Sequence, residues 1–195
     1  MRLFVALDLD ETIRQRIALY LQGLEPFAPE ARWAKPESLH VTLKFIGEQP
    51  AEALPQMESA LAAIQSEPIF LTLRGYGFFP NPRAARVFWL GIDAAPALPD
   101  LASQVDNALA AIGIPREEHA FTPHLTLARK GSAAPRLKRE EPFRSPFQRL
   151  QQKLSAMPLP DFGTMTAHDY FLYESKLSPG GSRYTRLKGF PLRTK

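Results

Sequence analysis

The chain has 195 residues, 45% hydrophobic and 23% charged, the profile of one folded domain rather than a disordered or fibrous protein. Its 0 cysteines exclude a disulfide framework, thiolate-ligated zinc and a cysteine nucleophile, and they suit a reducing compartment. A net charge of +4 tilts the choice of partner towards polyanions such as RNA.

Arg2 to Leu9 reads as a short buried strand. Asp8 and Asp10 cut the apolar stretch too early for a signal peptide or a membrane span, so the expectation is a cytoplasmic protein without a membrane partner. From Asp10 the period changes, and Ile13, Ile17, Tyr20, Leu21 and Leu24 fall on one helical face, with Asp10 or Thr12 as the cap. After Trp33 and the turn Lys35-Pro36-Glu37-Ser38, a strand runs from Leu39 to about Ile46 and closes at Gly47. Leu54, Met57, Leu61 and Ile64 predict a second helix. Ile69 to Phe79 and Arg86 to Ile92 follow as strands, parted by the turn Pro80-Asn81-Pro82.

Leu98, Leu101, Val105, Leu109 and Ile112 predict a third helix, with Gly113 where a C-terminal cap belongs. His124 to Ala128 is a strand, Lys130 to Pro146 a solvated loop, and Phe147, Leu150 and Leu154 a further helix. A linker from Pro158 to Gly163 leads to strands over Ala167–Glu174 and Arg183–Lys188, with a turn at Ser178–Gly181 between them. Strands often follow one another with no helix between, which predicts an α+β fold with largely antiparallel pairing. No heptad or large apolar stripe demands a partner, so a monomer is expected.

Two segments share one pattern, His40-Val41-Thr42-Leu43 and His124-Leu125-Thr126-Leu127. Residues i and i+2 of a strand share a face, so each segment can bury its aliphatic side and hold an imidazole and a hydroxyl towards a cleft. Only 4 histidines occur in the chain, and finding two of them in the same alternating context is rare by chance. Each motif ends a strand–helix–strand unit, a hint of internal duplication into two similar lobes within one domain, residues 1–195. His119 and His168 lie in polar, acidic surroundings and read as surface residues.

Two imidazoles and two hydroxyls suit the opening of a cyclic phosphodiester. One imidazole activates water, the other protonates the departing sugar oxygen, and hydroxyls donate to the phosphoryl oxygens as charge builds there. No metal or other cofactor is needed for this chemistry. A metallohydrolase would want a pattern such as His-Glu-x-x-His, and a serine hydrolase a Gly-x-Ser-x-Gly elbow; the sequence has neither. A non-catalytic RNA-binding module would explain the charge but leaves the paired His-Thr strands without a purpose.

The two motifs, together with Arg2-Leu3-Phe4-Val5-Ala6-Leu7, Phe121-Thr122-Pro123, Leu172-Tyr173-Glu174-Ser175 and Gly180-Gly181-Ser182-Arg183-Tyr184, resemble the two-histidine phosphoesterase superfamily over nearly the whole chain. The nearest resemblance is to its bacterial branch of RNA 2′,3′-cyclic phosphodiesterases, also called 2′-5′ RNA ligases. The resemblance implies a bilobal fold, two mainly antiparallel sheets facing a central groove with helices outside. It implies His40 as proton donor, His124 as proton acceptor, and Thr42 and Thr126 on phosphate oxygens. The implied substrate is RNA with a 2′,3′-cyclic phosphate end, tRNA fragments among the candidates, and the implied product a 2′-phosphomonoester. The resemblance also implies a reversible 2′-5′ RNA ligase activity. A 2′-5′ oligonucleotide or a cyclic phosphate of ADP-ribose would use the same groups.

Arg129 is the implied phosphate contact, yet strict alternation turns it away from His124; a bulge after Leu127 would restore it to that face. Phe45, a candidate to stack a base, meets the same parity problem, and a core position is the expectation for its ring. Lys44 shares the His40 face on that reckoning and is expected to be solvated. Tyr184, in the final strand, is a candidate to line the groove or to pack in the core.

Overall fold

A computed structural model describes residues 1–131, 146–178 and 181–193. The strands are β1 (Arg2–Asp8), β2 (Ala31–Trp33), β3 (His40–Glu48), β4 (Ile69–Phe79), β5 (Val87–Asp93), β6 (His124–Lys130), β7 (Asp161–Ala167), β8 (Asp169–Ser178) and β9 (Gly181–Pro191). The helices are α1 (Glu11–Leu24), α2 (Leu54–Ala62), α3 (Ala97–Ala110) and α4 (Gln148–Ser155).

The strands form two antiparallel sheets, one of order β3-β1-β8-β9 and one of order β2-β6-β5-β4-β7. Apart from β2 at the edge, the orders correspond: β3 to β6, β1 to β5, β8 to β4 and β9 to β7. Each motif strand therefore pairs with the strand that precedes its own helix. The predicted α+β class and antiparallel pairing are what the fold has.

The apolar periodicity makes the core. Leu3, Val5 and Leu7 of β1 and Val41 and Leu43 of β3 are buried with Ile13, Ile17 and Leu21 of α1 and Leu98, Leu101 and Val105 of α3. α1 lies against β7 of the five-stranded sheet, whereas α3 lies against β3 of the four-stranded sheet, and α2 packs on α3 and β9. The opposite face of the four-stranded sheet carries a separate small cluster of Phe4, Ala6 and Tyr173. The helices thus cover the outer faces and leave the other faces free. β3 and β6 approach one another with Cα atoms within 8 Å.

Two strands escape the periodicity. β2 has three residues, too few to show alternation, and β7 begins inside the predicted linker and takes its second half, because Gly163, with φ +90°, interrupts the strand's pattern. Asp10 precedes α1 but makes no capping hydrogen bond with its side chain. The predicted loop from Lys130 to Pro146 falls for the most part, at 132–145, outside the described residues.

Candidate active site

The two motifs are local copies of each other. His40 opens β3 and His124 opens β6, and both strands bury their residues in the same order over the first six positions. The His40 Nδ1 lies 2.7 Å from the Ser38 carbonyl oxygen, and the His124 Nδ1 lies 2.7 Å from the Thr122 carbonyl oxygen. A carbonyl only accepts, so each Nδ1 donates its hydrogen and each Nε2 is left to act on a substrate. Arg14 of α1 fixes the turn before His40: its guanidinium donates to the carbonyls of Pro36 at 2.6 Å, Leu39 at 3.1 Å and Leu9 at 3.3 Å.

Register places the neighbours. Residues opposed across a pair of strands share a face, so Asp8 and Ala6 join His40 and Thr42, while Gly91 and Trp89 join His124 and Thr126. Then both motif strands bulge. β3 advances from Thr42 to Lys44 while β1 moves one residue, and β6 advances from Thr126 to Ala128 while β5 moves one residue. The extra residue resets the parity, so Phe45 and Arg129 return to the side of the histidines.

Arg129 accordingly donates from Nη2 to Thr126 Oγ1 at 3.5 Å, and its charge acts on both His40 and His124. Phe45 is 56% exposed and its ring stands 6.2 Å from Phe4, which corrects the core position expected for it. Lys44 is the second correction. The same bulge turns it inward, where it is 2% exposed, with Nζ 2.6 Å from Asp106 Oδ1 and 2.8 Å from the Pro115 carbonyl. His119 and His168 are both exposed.

Each imidazole stands in an aromatic wall. The His40 ring lies 4.8 Å from Phe4, 5.0 Å edge-on from Tyr184 and 6.4 Å from Tyr173. The His124 ring lies 5.0 Å edge-on from Phe79 and 6.3 Å from Trp89. Tyr184 is therefore beside His40 rather than in the core. Burial pushes the His40 pKa down to about 4, with Arg129 and Arg14 adding to the fall, while the Ser38 carbonyl and the Asp8 carboxylate oppose it. Burial also lowers the pKa of His124, again with Arg129 adding and the Thr122 carbonyl opposing.

The surroundings of the two rings differ in one respect. Asp8, opposite His40, accepts hydrogen bonds from the Tyr173 hydroxyl and the Arg186 guanidinium. Its counterpart opposite His124 is Gly91, where a Cβ would sit 2.6 Å from the Arg74 carbonyl oxygen, so no side chain fits there. Sequence reasoning missed Asp8, Arg14, Phe4, Tyr173, Phe79 and Trp89. Alternation along β1 would have found Asp8 and Phe4, which share parity with Ala6, whereas the rest depend on pairings between distant strands. Among the described residues no group of three or more His, Cys, Asp or Glu could hold a metal ion.

Comparison with known proteins gives a consistent result. The family described as LigT like Phosphoesterase matches twice, over residues 7–89 and 90–181, one match containing His40 and the other His124. An RNA 2′,3′-cyclic phosphodiesterase of Archaeoglobus fulgidus is 34% identical over 190 residues, covering 97% of this chain and 99% of its own length. Among solved structures, a Thermus thermophilus protein superposes with a TM-score of 0.78 at 31% identity, covering 99% of this chain and 98% of its own. Escherichia coli LigT in complex with 3′-AMP superposes with a TM-score of 0.77 at 30% identity, with the same coverage of 99% and 98%.

Proposed function

Since the chain belongs to the LigT-like phosphoesterase family and is a phosphodiesterase, we propose that it opens the 2′,3′-cyclic phosphate ends of RNA by paired imidazole catalysis. The observation that carries this reading is the matched pair of histidines: each Nδ1 is committed to a carbonyl, each Nε2 is left over, and one guanidinium, Arg129, acts on both.

In this reading the cyclic phosphate sits between the rings. The His124 Nε2 takes a proton from water as its oxygen bonds to phosphorus. The P–O3′ bond breaks, and the His40 Nε2–H gives its proton to O3′. The products are a 2′-phosphomonoester and a free 3′-hydroxyl. Each proton transfer contributes about 10²–10⁴-fold. Thr42, Thr126 and Arg129 donate to the non-bridging oxygens, and Phe45 and Tyr184 border the nucleoside. With the 5′-hydroxyl of a second strand in place of water, the same forward steps join RNA ends through a 2′-5′ linkage, and their reversal cleaves it. The reading takes the enzyme as a cytoplasmic monomer of two similar lobes, with tRNA fragments among its substrates.

The asymmetry at Asp8 supports His40 as the donor, because a carboxylate faces that ring and none fits opposite the other. Before substrate binds, burial outweighs the carboxylate, so His40 becomes charged when the anionic phosphate arrives beside it. Phosphorus NMR of the products from an oligonucleotide with a 2′,3′-cyclic phosphate, in EDTA, tests the whole reading. The expected result is a 2′-phosphomonoester formed at an undiminished rate. His40→Ala and His124→Ala should each lose at least about a hundredfold in turnover. A 3′-S-phosphorothiolate, whose thiolate leaves without a proton, should restore the His40→Ala variant and not the His124→Ala variant. Restoration of the latter instead would exchange the two roles.

A further inference from the structure

We infer that a second anion subsite adjoins His40 and holds the phosphodiester one nucleotide upstream of the reacting end, so that the enzyme prefers RNA strands to single nucleotides. A cavity of about 470 Å³ is lined by Lys35, Ser38, Ser178, Ser182, Arg183 and Tyr184. It begins at the catalytic groove, because Ser38 supplies the carbonyl that holds His40 and the Tyr184 ring stands edge-on to His40 at 5.0 Å.

The lining is chemically one-sided. Lys35 and Arg183 bring two cations, and among the described residues neither forms an ion pair. Ser178 and Ser182 also line it, and the Ser182 hydroxyl can donate to an anion; the Ser38 hydroxyl instead donates to the Lys35 carbonyl at 2.8 Å and fixes the turn. Glu37 also lines the cavity. Two cations against one carboxylate give 2 − 1 = +1, the complement of the single negative charge on a phosphodiester. Tyr184 is the one aromatic ring, too little apolar wall for a nucleobase but enough to flank a ribose. Cations and hydroxyls that position a backbone phosphate carry no sequence information, so the subsite reads strand rather than base.

This inference rests on the reaction proposed above, and its test separates the two. Hydrolysis is followed for a nucleoside 2′,3′-cyclic phosphate, for a dinucleotide with the same terminus, and for that dinucleotide with an uncharged methylphosphonate linkage. In the wild type, kcat/KM for the charged dinucleotide should exceed the other two about tenfold, the effect of a charge-assisted contact. The Lys35→Ala/Arg183→Ala variant should treat all three alike and hydrolyse the nucleoside cyclic phosphate within about twofold of the wild type. Equal wild-type rates on all three substrates overturn the subsite and leave the reaction standing. A double variant that keeps the preference, or loses equally on every substrate, overturns it as well. Failure of the wild type to open any of them overturns the reaction itself.

Discussion

At pH 7 the His40 imidazole of the substrate-free protein should be almost wholly neutral. Burial brings its pKa from 6.5 to about 4, against the pull of the Ser38 carbonyl and the Asp8 carboxylate. The difference, 6.5 − 4, corresponds to about 3 kcal/mol in favour of the neutral ring and leaves on the order of one ring in a thousand charged at pH 7. Proton NMR of the imidazoles from pH 3 to 8, with the His40→Ala variant to assign the signals, reads this directly. Asp8→Asn removes the opposing charge and should move the His40 titration to still lower pH. The same quantity enters catalysis, since kcat/KM reports the ionisations of the free enzyme. If one ring must be charged and the other neutral, activity on a nucleoside 2′,3′-cyclic phosphate should fall as pH drops through about 4. It should fall again above the lowered pKa of His124, placing the optimum below 6.5. A His40 ring that titrates at 6.5 or higher, or an optimum above neutrality, would refute the reasoning.

Stability should follow the same proton. A histidine whose folded pKa is depressed binds fewer protons folded than unfolded, so its contribution is complete above 6.5 and lost as pH falls towards about 4. The urea midpoint of the wild type should drop over that interval, and the His40→Ala variant should show a shallower drop. Thr42→Val and Thr126→Val should each lower kcat by about 1–3 kcal/mol, the worth of one hydroxyl donor, and normal rates in both would end the oxyanion role. Lys44→Met breaks the link from β3 to Asp106, which keeps Arg116 at 3.3 Å and the Glu117 amide at 3.1 Å. A loss of about 2 kcal/mol, or about 4–8 °C in Tm by calorimetry, is expected, and an unchanged Tm would contradict the staple. Gly77→Ala puts a Cβ 2.1 Å from Trp89 Cζ2, so the indole beside His124 must move. Tryptophan emission should shift and kcat/KM should fall; the two remaining unaltered would show that this wall is not rigid.

What could be read from the residues was whatever depends on short periods. The helical stripes of α1 and α3 and the pairs His40/Thr42 and His124/Thr126 need only spacing, and they emerged without any knowledge of the fold. Phe45, Arg129 and Lys44 lie beyond the point where spacing suffices. One inserted residue reverses the side on which the next side chains emerge, and the amino acids at these two bulges, Leu43 and Leu127, carry no mark of it; β3 takes a second insertion between Phe45 and Gly47. A glycine follows each bulge at the same distance, Gly47 four residues after Leu43 and Gly131 four after Leu127, too far along to mark the inserted residue. Lys44 also shows how tertiary structure overrides a surface residue's habit: Asp106 and the Pro115 carbonyl, far away in sequence, compensate its burial. Asp8 and Tyr173 meet only because β8 returns to lie beside β1.

The interleaving of strands sets an order on how the two histidine surfaces come into being. The His124 sheet draws on β2, β4, β5, β6 and β7 and can be complete once residue 167 has been synthesised. At that moment the His40 sheet still lacks β8 and β9, two of its four strands, and so lacks Tyr173, Tyr184 and Arg186. A nascent protein emerging from the ribosome therefore holds a finished His124 half and an unfinished His40 half, and the complete pair of histidine surfaces arrives in a single late step.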